Sequence, residues 1–414
     1  MSKPILRLKG FEGEWKGELL SKIATMHARI GWQNLRKDEF LSKGEYYLIT
    51  GTDFVEGRVD YKTCHFVERE RYDQDKNIQI KNGSILITKD GTLGKVAFVE
   101  NLNKPATLNA GVFNIMCKTN NVDSRYLFQY LRSPLLMNYV NSTATGGTIK
   151  HLNQNILVNF PVQLPTIEEQ TFLGTYFQHL DNIVQNVIKK IALLKQMKSA
   201  SLISMFPQNG ETKPRVRFKG FDGDWVKKLL SECLDISKER NTDDKYGKDD
   251  VLSVSDDFGV MNQIELLGRS YAGKSVSNYG ILKQGQLVYT KSPLKSKPYG
   301  IVKENIGKTG IVSVLYAIYT AKENTWIPFI HYYFDPAWRL NAYLRPLINK
   351  GAKNTMNISD ETALTGYIMI PDDIKEQQRI ASFFRSLDKQ ISLQELRLEK
   401  LKQIKAACLD KMFV

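Results

Sequence analysis

The sequence is poor in the residues that staple, ligate or anchor a chain. Its four cysteines (Cys64, Cys117, Cys233, Cys408) are scattered without paired spacing. That excludes a disulfide framework and a cysteine zinc site, and it implies a reducing cytosol. The five histidines (His27, His65, His151, His179, His331) form no ligand-spaced pair, so no metal site is expected. No run of ~18 or more apolar residues occurs, and no charged-then-apolar leader is read at the N-terminus. The longest apolar stretch, around Ile311 to Ala321, reads as a buried strand. None of the thirteen prolines adjoins another, so the N/D/S-P-P-aromatic signature of amino-methyltransferases is missing. Acidic residues are also in deficit, 44 against 58 Lys and Arg, for a formal charge of +14. Such a field attracts a polyanion; without a spanning segment, nucleic acid is the leading partner.

What is present is ordinary globular composition, 42% hydrophobic and 25% charged over 414 residues, enough for two or three domains. The dominant signal is an internal repeat. PILRLKGFEGEW from Pro4 and PRVRFKGFDGDW from Pro214 share the frame R-x-K-G-F-x-G-x-W at an offset of 210. PTIEEQTFLGTYFQHLDNIV from Pro165 and PDDIKEQQRIASFFRSLDKQI from Pro371 agree at nearly the same offset. Each copy thus has a short opening segment, a middle unlike its counterpart, and a helical close. Middles that differ inside a repeated frame suit two different ligands.

Both closing segments carry helix-start chemistry, Thr166 with Glu169 and Asp373 with Glu376, in the S/T-x-x-E spacing of a capping box. Apolar residues then recur in steps of four and three: Leu173, Phe177, Leu180, Val184, Val187, Ile191 and Leu194 in the first, Ile380, Phe384, Leu387, Ile391, Leu398 and Leu401 in the second. That spacing is a heptad seam, and matched seams predict helices that pack on each other. Gln394 replaces the counterpart of Val187 and either sets register or reaches solvent. A helix from Thr166 to about Phe206 spans ~60 Å at ~1.5 Å per residue. The linker Pro207 to Lys213 spans at most ~25 Å. The second middle is therefore expected at the far end of the first helix, with the second helix running back antiparallel.

The paired openings and the paired closes, IEEQ…LD…LLKQMK and IKEQ…LD…KLKQIK, resemble the specificity subunits of type I restriction-modification enzymes over essentially the whole chain. The resemblance implies an α+β fold with two mixed α/β target-recognition domains, separated by two long antiparallel coiled-coil helices in a pseudo-two-fold tandem repeat. The expected boundaries are 1–163 for the first recognition domain and 164–206 for the first spacer helix. A linker follows at 207–213, then the second recognition domain at 214–370 and the second spacer helix at 371–414. It further implies a non-catalytic, cytoplasmic subunit of a type I site-specific deoxyribonuclease and adenine methyltransferase complex. Such a subunit reads a bipartite, asymmetric target in double-stranded DNA, and docks two methyltransferase subunits and restriction/translocase subunits. S-adenosylmethionine, ATP and Mg would be bound by those partners, and no cofactor by this chain. Two readers on a rigid spacer face one side of a duplex when their separation is near a helical turn, ~34 to 36 Å, or a multiple of it.

Two matched segment pairs are the candidate DNA contacts. GSILITKDGTLGKVAFV from Gly83 and GQLVYTKSPLKSKPYGIV from Gly285 each read as strand, basic turn, strand. They offer Lys89, Thr92 and Lys95, and Lys291, Ser292, Lys295 and Lys297. Before each closing helix, TATGGTIKHLNQ from Thr143 and NKGAKNTMNIS from Asn349 offer Thr145, Gly146, Gly147, Thr148 and Lys150, and Lys350, Lys353 and Asn354. Glycine permits close approach to a phosphate, and Thr, Asn and Lys supply donors. Arg29, Arg58, Arg269 and Arg339 have the bidentate donors that read guanine, but nothing in the sequence selects among them.

Other patterns point elsewhere. Gly268 to Ser275 reads GRSYAGKS, a literal G-x-x-x-x-G-K-S, yet Gly280 follows closely and leaves no room for the helix a phosphate loop needs. PDDIK at Pro371 has contiguous acids and caps a helix, unlike a metal-clamping nuclease motif. Asp243, Asp244, Asp249 and Asp250 read as a solvated loop. The competing functions are a P-loop NTPase acting on DNA and a coiled-coil scaffold with no nucleic-acid role.

Overall fold

A computed structural model describes residues 3–143, 151–291, 297–350 and 356–414. The chain divides into two compact units, residues 1–190 with 394–414, and residues 191–393. Two 38-residue helices, Ile167–Ser204 and Ile374–Lys411, each contribute residues to both units.

In the first unit, Lys16–Leu19 pairs antiparallel with Pro161–Leu164 and closes the base of the domain. A six-stranded sheet runs Ala24–Ala28, Val112–Cys117, Ile85–Thr88, Val96–Phe98, Arg58–Val59, Phe54–Val55. The central strand Ile85–Thr88 is buried throughout, as its unbroken apolar run requires of a strand covered on both faces. Helices Ser124–Arg132 and Pro134–Ser142 cover one side. Asp123 caps the first by accepting from Arg125 N and Tyr126 N (2.8 and 3.0 Å), and Pro134 starts the second, where its missing N–H costs nothing. A second, four-stranded sheet (His65–Val67, Tyr46–Ile49, Ala106–Leu108, Gln79–Ile80) packs on the six-stranded one through a shared core that joins Tyr47, Ile49, Ile78 and Leu108 to Leu86, Ala97 and Val112.

The second unit repeats this frame. Val226–Leu229 pairs with Tyr367–Ile370. A four-stranded sheet runs Leu234–Ile236, Tyr316–Ala321, Leu287–Thr290, Ile301–Glu304, the same order as the first four strands of the six-stranded sheet. Helices Ile327–Phe334 and Ala337–Leu344 stand where the first unit has its helix pair, again punctuated by prolines (Pro328, Pro336). The middles that look unlike in sequence therefore share one scaffold. The second sheet of the first unit recurs in a more broken form in the second, where Leu252–Ser255 pairs with Gly259–Asn262, Gly280–Leu282 with Gly310–Val312, and a parallel bridge joins Val251 to Ile311.

The seam residues Leu173, Phe177, Val184, Val187, Ile191, Leu194, Ile380, Phe384, Leu387 and Ile391 are buried, whereas Leu180, Leu398 and Leu401 are half-buried. Their burial is not helix pairing alone. Leu173 and Phe177 sit in the first unit's domain core with Trp15 and Tyr126, together with Leu409, Met412 and Phe413 from the end of the second helix. Ile380 and Phe384 sit in the second unit's core with Trp225 and Phe329, together with Leu202, Met205 and Phe206 from the end of the first helix. Phe413 stacks on Phe177 (5.4 Å) and Phe206 on Phe384 (6.0 Å). Within each unit the helices run antiparallel: Tyr176 meets Cys408 and Asp181 meets Lys405 in one, Lys198 meets Asp388 in the other, where Phe206 meets Phe384. Close approach demands a small residue near the start of the first helix. A Cβ on Gly174 would lie 3.0 Å from Tyr126 N, and Ala381, its counterpart, is buried as well. Gln394 is half-buried, and its Oε1 is buried without a partner among the described residues.

The capping boxes form only in part. Thr166 Oγ1 accepts from Glu169 N (3.4 Å) and Asp373 Oδ1 from Lys375 N (2.8 Å), but neither glutamate turns back to its cap. Glu169 and Glu376, each 1% exposed, hold Arg7 and Arg217 instead.

Candidate nucleic-acid interface

The loops expected to touch DNA connect equivalent strands. In the first unit, residues 89–95 join Ile85–Thr88 to Val96–Phe98. The Thr88 hydroxyl accepts from Lys95 N (2.9 Å) and donates to the Thr92 carbonyl, so one buried side chain gathers both arms of the turn. Lys89 is half-buried with its ammonium 5.6 Å from the Phe113 ring centre, Lys95 is half-buried and Thr92 is exposed. The two predicted segments meet here: Leu152 N donates to Lys89 O (2.9 Å), and His151 Nδ1 lies 2.6 Å from Asp90 Oδ1.

In the second unit the corresponding loop leaves Leu287–Thr290 and returns in Ile301–Glu304. Lys89 N and Lys291 N donate to equivalent carbonyls, of Gly111 (2.9 Å) and Leu315 (3.4 Å). Lys291 Nζ lies 2.6 Å from Oδ1 of Asp360, the residue just after the second segment. The returning arm crosses so close that a Cβ on Gly300, at φ +95°, would stand 1.9 Å from Thr290 O; only glycine fits. Lys297 is 6% exposed, with its ammonium on Asp256 Oδ1 (2.6 Å) and the Asp335 carbonyl (3.0 Å), so it braces the loop from within. Of Lys350, the strand Asn349–Lys350 paired with Met356–Asn357 is described. Thr145, Gly146, Gly147, Thr148, Lys150, Ser292, Lys295, Lys353 and Asn354 lie outside the described residues.

The four arginines fall into separate roles. Arg29 (2% exposed) donates to Leu108 O and Thr107 Oγ1, and Arg339 (6%) to Tyr333 O and Leu202 O, so both are packing residues. Burial pushes the Arg339 guanidinium down to about 10. Arg58 is bonded to Asn182 and paired with Glu100. Arg269 alone is exposed, stacked over Tyr271 at 4.6 Å. It belongs to the Gly268–Ser275 motif, whose surroundings are the reverse of a phosphate loop: a helix (Gln263–Leu267) precedes it, and the next element is the strand Gly280–Leu282.

Behind the loops lie polar contacts that sequence reasoning missed. Arg7 grips Glu169 through two bonds (2.8 and 2.7 Å) and donates to Gly13 O (2.6 Å); Arg217 does the same with Glu376 (2.7 and 2.8 Å) and Gly223 O (2.6 Å). Gln170 accepts from Asp123 N and Gln377 from Trp326 N, each at the head of a domain helix. Asp181 takes Gln129, Arg132 and Lys405, while Asp388 takes Tyr332 and Lys198. Burial pushes the Asp181 carboxyl up, but the Arg132 and Lys405 charges outweigh it and leave it below its ordinary value. In the second unit Lys198 and Lys303 also hold Asp335; burial is again outweighed, and the carboxyl lies far below the carboxylate range. Beside it, burial and the Lys303 charge push the His331 imidazole down to about 3, and its Nδ1 accepts from Glu304 N (3.2 Å). The signal was legible: the arginine, glutamate, glutamine, aspartate and final lysine of these contacts are among the polar positions common to both copies of the opening and closing segments.

The chain thus holds two copies of one scaffold, each locked to the long helices and differing in the sequence its loops carry. Residues 28–196 match the family described as the type I restriction modification DNA specificity domain. The chain is 29% identical over 115 residues to the type I restriction enzyme MjaIX specificity subunit of Methanocaldococcus jannaschii, covering 28% of this chain and 26% of that one. Identity is 22% over 383 residues, 87% of this chain and 84% of the relative, for the putative type I restriction enzyme MjaX specificity subunit of the same organism. The first relative is thus matched over about a quarter of its length. The crystal structure of the type I restriction-modification system S subunit from M. genitalium matches all of this chain and 99% of its own, with a TM-score of 0.58 at 13% identity, a likeness of fold. The chain is thus similar to the specificity subunits of type I restriction-modification enzymes, through the family match over residues 28–196 and the long relative.

Proposed function

We propose that the chain reads a split DNA target, one half with each unit, for a type I restriction-modification complex, and has no active site of its own. The supporting observation is that the two units share a sheet order and a loop pair but differ in the residues the loops carry. A common mount with different tips suits two different base sequences. Contacts to phosphate would come from Lys89, Thr92 and Lys95, and from Thr145, Gly146, Gly147, Thr148 and Lys150. In the second unit they would come from Lys291, Ser292, Lys295, Lys350, Lys353 and Asn354. Phosphate contacts set position, and base edges set sequence.

On this reading the long helices space the readers and dock the methyltransferase and restriction/translocase subunits, which bind S-adenosylmethionine, ATP and Mg and perform the chemistry. The complex works on cytoplasmic DNA; among the described residues no helix is long and apolar enough to cross a membrane. The test is an exchange. Residues 1–163 are replaced by those of another specificity subunit, and methylated adenines are mapped in the host by single-molecule sequencing. One half of the target should change and the other remain. A target altered in both halves, or in neither, would refute the assignment.

A further inference from the structure

We propose that Asp90 selects an exocyclic base amine, that of cytosine or adenine, at one position of the half-target read by the first unit, with His151 as its positioning residue. The inference rests on the DNA-reading function above. Asp90 stands on a fixed mount. The residue before it is pinned on both sides, Lys89 N on Gly111 O and Lys89 O under Leu152 N, both at 2.9 Å. The far arm of the turn is held by Thr88 through Lys95 N. The side chain is fixed as well: Asp90 Oδ1 lies 2.6 Å from His151 Nδ1, and since a carboxylate only accepts, Nδ1 carries the proton. Oδ2 then has no hydrogen-bond partner among the described residues. Both side chains are open, 44% for Asp90 and 70% for His151.

A carboxylate at the tip of a loop in a chain of charge +14 works against attraction to phosphates. It is repelled wherever the edge before it offers only acceptors. In the major groove guanine O6 and N7 and thymine O4 are acceptors, whereas cytosine N4 and adenine N6 donate. Asp90 Oδ2 can therefore accept from C or A on one strand, and it rejects G and T there. In the second unit the residue after Lys291 is the uncharged Ser292, so the effect belongs to one half of the target.

The test uses the full chain in its host, with Asp90→Ala, Asp90→Asn and His151→Asn introduced singly and methylated adenines mapped across the genome. With Asp90→Ala, one base position in one half should lose its preference for A or C over G or T by about tenfold or more, with every other position unchanged. Asp90→Asn, which keeps an acceptor and adds a donor, should admit G or T at that position. His151→Asn should relax the same position by less. An unchanged target in all three strains overturns the proposal, as does equal relaxation at many positions, which would make the pair a loop fastener. A wild-type strain without any split methylation mark would instead sink the DNA-reading function itself.

Discussion

At the scale of single residues, the polar groups that both copies retain are those with no tolerance for a missing partner. Glu169 and Glu376 are almost wholly buried, and a buried carboxylate without its cation is costly, whereas an apolar pair of similar volume is often harmless. Arg217→Ala should therefore destabilise the second unit by ~3 kcal/mol, and the double change Arg217→Met with Glu376→Met by much less, as read by denaturant unfolding. A double variant as damaged as the sum of its parts would contradict this. His331 makes a pH-dependent contribution. Its folded value, about 3, lies below the ordinary 6.5, so between those limits the unfolded chain binds the extra proton. Stability from this residue is full above pH 6.5 and falls on acidification at up to ~1.4 kcal/mol per pH unit. The difference in unfolding free energy between the wild type and His331→Gln should shrink from pH 6.5 towards pH 4; a constant difference would show that burial does not hold the ring neutral. The capping glutamates were misread because the motif gives spacing but not competition. An arginine arriving from 162 residues away outbids a local backbone N–H.

At the scale of elements, the ends of the long helices matter as much as their seams. Phe206 and Phe413 are each fully or nearly fully buried among aromatic rings contributed by a domain helix and by the other long helix. Truncating a buried phenylalanine typically costs ~3 to 5 kcal/mol. Phe413→Ala, although next to the last residue, should speed amide hydrogen exchange in Ser124–Arg132, and Phe206→Ala in Ile327–Phe334. Exchange confined to the helix tips would contradict that account. The helices themselves were plain in the sequence, since their start signals and heptad steps are local. The common scaffold of the middles was not. Strand order depends on pairings between distant segments, such as Ile85–Thr88 with Val112–Cys117, which leave no periodic trace. The candidate loops were found by position in the repeat, and in the first unit the fold joins the pair. Which lysines face outward was not legible, because the acids that take up Lys291 and Lys297, Asp360 and Asp256, are 69 and 41 residues away.

At the scale of the whole molecule, the proposed function requires that target geometry be set by helix length and target sequence by loop content, so that the two can be altered separately. Loop substitutions such as Asp90→Ala should change bases and leave the spacer between half-targets as it was. Helix changes should do the opposite. Inserting seven residues into each long helix preserves the heptad phase and adds ~10 Å, about three base pairs at ~3.4 Å per step. The decisive measurement is the genome-wide map of methylated adenines in a strain carrying that insertion. The account predicts both half-sequences unchanged and the gap between them longer by about three base pairs; the original gap, with methylation intact, would contradict it.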